Sequence, residues 1–184
     1  MKKKILPTRE RILEVLDYDP ITGVFTWKAD SSRPGQWAKW VGKVAGAKKV
    51  RQSDGTSVGM RLAIDGTDYA LHRLAWVVMT GENDFDHEVD HINLNAHDNR
   101  WSNLRRATHG ENAMNRRIQP NGSTGLKGVR FISRPNNNLA RPWYAVIQAN
   151  GKTISLGYHA TKGLAAVARA KAALRYHGQF ARPC

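Results

Sequence analysis

The stretch from Glu88 to Arg117, EVDHINLNAHDNRWSNLRRATHGENAMNRR, constrains this chain more than any other. Its apolar runs are too short for a core helix, and Asn, Asp, Ser and Gly separate them, the residues that turn a chain. Val89 ahead of Asp90-His91, and Leu104 to Ala107, read as two short strands around the polar loop LNAHDNRWSN. Thr108 and Glu111 then stand at the Ser/Thr-x-x-Glu spacing of a capping box, so a helix is expected from His109. Asn112 falls in its first turn, where unpaired amide hydrogens and the helix dipole favour a phosphate.

Neighbouring strand residues point to opposite faces, so Asp90 and His91 serve one site only if the strand ends there and the chain turns. The polar loop from Asn93 supplies that turn, and strand, loop, strand and helix are then expected to gather Asp90, His91, Asn103 and Asn112. A carboxylate, an imidazole and two amides inside a strongly basic chain point to a metal site acting on an anion.

The run Asp90-His91, Asn99-Arg100, Asn103-Leu104-Arg105 and Glu111-Asn112 strongly resembles the HNH endonucleases of the ββα-metal fold, in their phage and intron-encoded branch. The three letters fall on His91, Asn103 and Asn112; Asn in the third place is a variant which that branch uses. The resemblance implies that His91 is the general base that deprotonates a water, and that Asp90 and Asn112 hold one divalent ion. Oxygen ligands with room for waters suit Mg²⁺ or Mn²⁺. It further implies that Asn103 holds the loop that orients the base, with its amide a candidate to fix the His91 tautomer. Arg73, Arg100 and Arg105 are candidate DNA contacts. One site per monomer implies nicking; cutting both strands needs a dimer or a second event.

Competing readings are weaker. Four histidines, His87, His91, His97 and His109, raise the question of a structural zinc, but such sites normally pair cysteines and this chain has only Cys184. Glu82, Asp84, Asp86 and Glu88 read as a solvated acidic face. A formal net charge of +14 with 41% hydrophobic residues describes a globular partner for a polyanion, double-stranded DNA first. No stretch has the apolar length of a membrane span, and Lys2 to Lys4 lead into no signal-peptide core. One cysteine fits a reducing cytoplasm, that of a bacterial host if the resemblance holds, and no obligate protein partner is evident.

Residues 8 to 16 read as a helix capped by Thr8, with Ile12, Leu13, Val15 and Leu16 apolar, followed by the turn Asp19-Pro20-Ile21-Thr22-Gly23 and a strand from Val24 to Lys28. DYDPITGVFTWK resembles the opening of many phage HNH proteins without carrying chemistry of its own. From Ala29 to Ser57 the chain is loop-rich, with Trp37 and Trp40 assigned to the core and Lys39, Lys43, Lys48, Lys49 and Arg51 to phosphate contact. Val58–Ile64 and Thr67–Leu71 flank an Asp65-Gly66 hairpin turn, and a helix from His72 to Met79 follows, closed by Gly81. Leu71, Leu74, Ala75 and Val78 form its buried stripe.

After the linker-like QPNGSTG, strands at Lys127–Ser133, Trp143–Ala149 and Lys152–Leu156, the last two joined by an Asn150-Gly151 turn, precede a Thr161-capped helix carrying Leu164, Val167, Ala168 and Leu174. With Trp143, Ala145, Ile147, Ile154 and Leu156 packed on the helix, Tyr144, Val146, Gln148, Thr153 and Ser155 face outward. GVR at Gly128–Arg130, WYAVI at Trp143–Ile147, LGYHAT at Leu156–Thr161 and the helix AAVARAKAALRYHGQFA resemble the plant ethylene-response-factor (Apetala-type) DNA-binding domain. That resemblance puts the sheet in the major groove and carries basic contacts to Lys127 and Arg130. Tyr144, on the same outward face, is a further candidate DNA contact. Gln148 and Thr153 stand where the plant domains have arginines, and Ser155 where they have a tryptophan, so the plant target does not transfer.

The expected fold class is α+β: an N-terminal segment over residues 1–57 packed with a nuclease domain over 58–118, a linker over 119–124, and a DNA-binding sheet-and-helix domain over 125–184. The expected function is a metal-dependent DNA endonuclease of the homing type, with a non-cleaving sequence-specific DNA-binding regulator as the alternative.

Overall fold

The structure, a computed structural model, describes residues 5–29, 35, 37–50, 57–115, 124–133, 140–149 and 151–181. Its contacts divide the chain into two compact α+β units, Met1–Thr108 and His109–Cys184. The expected linker lies almost wholly outside the described residues. The helix expected from His109 falls in the second unit.

In the first unit, α1 (Arg9–Val15) starts at Thr8, whose hydroxyl accepts the Arg11 amide at 3.3 Å. The helix stops one residue before the sequence suggests. Leu16 already takes extended backbone and opens β1 (Leu16–Asp19), which pairs antiparallel with β2 (Val24–Trp27); β3 (Val44–Ala45) adds to β2. The intervening turn is fixed by Asp19, whose carboxylate accepts the Ile21 amide at 2.8 Å and the Thr22 hydroxyl at 2.7 Å. These contacts also hold the Asp19 carboxyl below its ordinary range, the Thr22 hydrogen bond contributing most.

β4 (Ala47–Val50), β5 (Ser57–Ile64) and β6 (Thr67–Ala70) form a second antiparallel sheet in that order. Asp65 and Gly66 both take positive φ, 49° and 74°, the geometry of the tight hairpin turn that Asp-Gly favours. β6 runs directly into α2 (Leu71–Thr80), closed by Gly81 at φ 80°. Leu71, Leu74, Ala75, Val77 and Val78 are buried against Ile12, Leu16 and Phe25, with Val89 and Leu104 in the same core. Each large side chain so buried contributes on the order of 1.5–3 kcal/mol.

Of the two tryptophans expected in the core, Trp37 meets Trp27 edge-on at 5.0 Å, but Trp40 is 42% exposed with the Lys39 and Lys43 ammonium groups at 5.8 and 5.7 Å from its ring. The short turn that carries it, Ala38–Trp40, has no buried residue. Arg51 and the side chains of Lys48 and Lys49 lie outside the described residues.

The second unit opens with α3 (His109–Asn115), which packs on the turn at Gly178–Phe180. β9 (Val129–Phe131), β10 (Trp143–Ala149) and β11 (Lys152–His159) make an antiparallel sheet with β10 central, covered by α4 (Lys162–His177). Thr161 caps α4 by accepting the Leu164 amide at 3.2 Å. The larger apolar side chains of the helix are not its buried ones. Leu164, Val167 and Leu174 are 54%, 52% and 70% exposed, while Ala165, Arg169, Ala172, Ala173 and His177 face the sheet. Those buried positions recur at helical spacing, and their alanines let helix and sheet approach more closely than leucines would. No helix among the described residues is long and apolar enough to cross a membrane.

Candidate active site

β7 (Glu88–His91) and β8 (Leu104–Ala107) pair antiparallel, with Asp90 opposite Arg105 and His91 opposite Leu104. The chain turns immediately after His91, the turn that lets two adjacent residues serve one site. Asp90 and His91 are both buried, at 6% and 8% exposure.

Asn103 ties the loop between these strands. Its amide oxygen accepts the Asn93 amide at 3.0 Å, and its amide nitrogen donates to the Asn93 side chain at 3.0 Å and the Asp98 carbonyl at 2.8 Å. The partner of the His91 ring is a different residue, Asn99, whose amide oxygen lies 3.2 Å from Nε2. The Asn99 amide oxygen accepts from Nε2 in the tautomer that carries its proton there. Burial pushes His91 below its ordinary pKa, opposed by the Asn99 contact, so the ring is neutral at pH 7.

A second histidine stands against it. His72, on the first turn of α2, meets His91 edge-on at 5.0 Å between ring centroids. Burial, with the His91, Arg73 and Arg61 charges pushing the same way, lowers His72 to about 3. Sequence reading missed both partners. Asn99 was inside the recognised Asn-Arg pair, and His72 sits beside Arg73, where only a three-dimensional contact singles it out.

The arginines expected on DNA have other engagements. Arg105 gives both Nε and Nη2 to one Asp90 oxygen, Oδ2, at 2.9 and 2.7 Å, and only 12% of its side chain is exposed. This arginine, a candidate DNA contact, compensates a buried carboxylate. Arg100 pairs with Asp98 at 2.6 Å, which holds that carboxyl down to about 2. Arg73 lies over the Phe85 ring at 4.7 Å and lines a cleft of about 360 Å³ with Arg61, Asp68, Asp86, His87 and Glu88.

These elements coincide with a known pattern. Residues 69–114 match the family model described as HNH endonuclease. Neither the curated proteins nor the solved structures contain a match to the chain. The HNH segment runs from β6 to α3 and takes in His72, Asp90, His91, Asn99, Asn103, Arg105 and Asn112. It points to a nuclease acting on DNA. Asn112 stands in α3 of the second unit, whereas Asp90, His91 and Asn103 stand in the first.

Among the described residues no three His, Cys, Asp or Glu side chains stand together as a metal cluster. Asp90 fits a hard divalent ion: it is buried, and it is already charge-compensated from one side by Arg105.

In the second unit the sheet face holds Arg130, Tyr144 and Tyr158 in cross-strand register, with the two tyrosine rings 4.8 Å apart. Gln148 pairs with Thr153, and Val146 with Ser155, on the same face. Tyr158 lies beyond Leu156, where the sequence reading ends the third strand; β11 runs on to His159 past a register shift. Lys127, Arg130, Gln148, Thr153, Arg169 and His177 line a hollow of about 490 Å³, with no carboxylate among the residues around it.

Proposed function

We propose that the chain is a metal-dependent DNA endonuclease of the homing type, with His91 as general base. The observation that carries this is the buried Asp90-His91 pair at the end of β7, with Nε2 of His91 held 3.2 Å from the Asn99 amide oxygen. A neutral, oriented imidazole takes a proton from the attacking water. Asp90, with Asn112 as the second expected ligand, would hold Mg²⁺ or Mn²⁺. Such an ion, when bound, stabilises charge at the scissile phosphate and the leaving oxygen. Asn103 keeps the loop closed around the base.

The second unit is the DNA-reading module of this proposal. From His109 onward the sequence has twelve lysines and arginines against one acidic residue, Glu111. Such an excess favours the phosphate backbone. The outward row of Arg130, Tyr144, Gln148, Thr153 and Ser155, with Lys127 at its margin, supplies the groups that would face the bases and phosphates. Tethering it to the nuclease raises the effective concentration of the active site at its target.

The test is incubation of supercoiled plasmid carrying sequences of the source genome with protein and Mg²⁺ or Mn²⁺. Nicked or linear product is expected from the wild type and none from His91→Ala, which should keep its DNA affinity within several-fold. Cleavage by His91→Ala removes the base assignment; salt-sensitive binding without cleavage by any variant favours a non-cleaving regulator.

A further inference from the structure

The hairpin β1–β2 lies outside the HNH segment and supplies no acid, base or cation ligand to it, yet it meets that segment's loop at three consecutive residues. Tyr18, 8% exposed, donates its hydroxyl to the Asn99 carbonyl at 2.7 Å. Gly23, at φ 75°, lies so close that a Cβ there would stand 2.5 Å from the Asn99 carbonyl carbon and against the Arg100 nitrogen. The Pro20 carbonyl accepts the Trp101 amide at 3.0 Å.

The hairpin is itself rigidly seated. Tyr18 pairs with Phe25 across the strands, their rings 4.6 Å apart, and Phe25 is fully buried. The Asp19 hydrogen bonds fix the turn between them. Burial raises the Tyr18 hydroxyl to about 12, so it remains a donor across any working pH.

We propose that β1–β2 is the positioning element of the His91 base: by clamping the backbone of residues 99–101 it fixes the Asn99 amide, and through it the orientation and tautomer of the His91 ring. The proposal rests on the reading of His91 as base. It divides the holding of the loop between two devices. Asn103 ties Asn93 and Asp98, and the hairpin ties the three residues that follow. An amide oxygen at 3.2 Å selects the Nε2–H tautomer only while its own backbone is held, and small misplacements of a base are costly in rate.

Tyr18→Phe removes one hydroxyl and leaves the stacked ring. Gly23→Ala forces the backbone of Asn99 and Arg100 away, since neither contacting atom is a flexible side-chain end. Two readouts are compared on the full chain: single-turnover nicking of plasmid with Mg²⁺ or Mn²⁺ beside DNA affinity, and two-bond ¹H–¹⁵N spectra of the histidine rings without metal. Tyr18→Phe is expected to slow nicking on the order of tenfold with affinity held within about twofold, and to turn the His91 Nε2–H tautomer into a mixture. Gly23→Ala should do both more strongly; if it does not fold, Tyr18→Phe decides. Wild-type rates and an unchanged tautomer in the folded variants overturn the proposal. So does a rate loss with the tautomer intact, which would mark a role in stability alone. If the wild type cleaves no DNA the endonuclease reading fails, and the spectra by themselves decide whether the hairpin controls the ring.

Discussion

Acidification from pH 7 to pH 5 should weaken the first unit through His72. Its ring is partly buried against His91 and lowered to about 3, first by burial. A histidine with a depressed folded value favours the fold fully above its unfolded value, and that contribution is lost as pH falls from there toward the folded value. The window is therefore pH 6.5 down to about 3. Between pH 7 and 5 the unfolded ring passes from about a quarter protonated to nearly fully protonated while the folded ring stays neutral, which costs about 2 kcal/mol. Any folded value well below 5 gives nearly the same figure, because proton uptake by the unfolded chain sets its size.

Urea melts followed by tryptophan fluorescence measure this, since five of the six tryptophans lie in the first unit. His72→Phe keeps a ring of similar volume without the titration, and its stability should fall by about 2 kcal/mol less than that of the wild type over the same interval. His87 and His91 are lowered too, so a residual decline in the variant is expected. Parallel declines in the two proteins would refute the claim that His72 is held neutral.

Arg105→Ala leaves the buried Asp90 carboxylate without its cation and should cost about 3–5 kcal/mol in metal-free melts, with part restored by millimolar Mn²⁺ or Mg²⁺; no restoration would argue against Asp90 as a ligand. Gly128→Ala places a Cβ against the Val146 carbonyl oxygen and 3.1 Å from Arg169 Nε at φ 71°, so thermal melts should show loss of the second unit by more than about 1 kcal/mol with the first unit intact. Trp40→Ala should lower affinity for single-stranded or opened DNA by about 1–3 kcal/mol if the exposed ring stacks on a base, and change melting little because the ring is outside the core; unchanged binding would remove it from the interface.

Local chemistry decided much of this protein before any tertiary contact formed. Turn residues, caps and alternation made β7, β8, α2, the Asp65-Gly66 hairpin and the three-stranded sheet legible, because each depends on a few adjacent residues. Asp90-His91 and Asn103 stand in a motif of fixed spacing, and the structure places the pair at the end of β7 and Asn103 in the loop that follows. The tertiary structure decided which partners those groups meet. Arg105 is on Asp90 because β7 and β8 pair in one particular register; Asn99, not Asn103, meets His91 because the loop folds back on itself. In α4 the packed chain decided that Arg169 and His177 stand beside the alanines on the buried face while Leu164 and Leu174 stay exposed. Least legible of all was the N-terminal hairpin. Its segment carries ordinary turn and strand signals, and its hydrogen bonds to Asn99 and Trp101 span 81 positions of sequence. Periodicity records which way a residue faces relative to its neighbours in sequence; only the packed chain determines what stands on the other side.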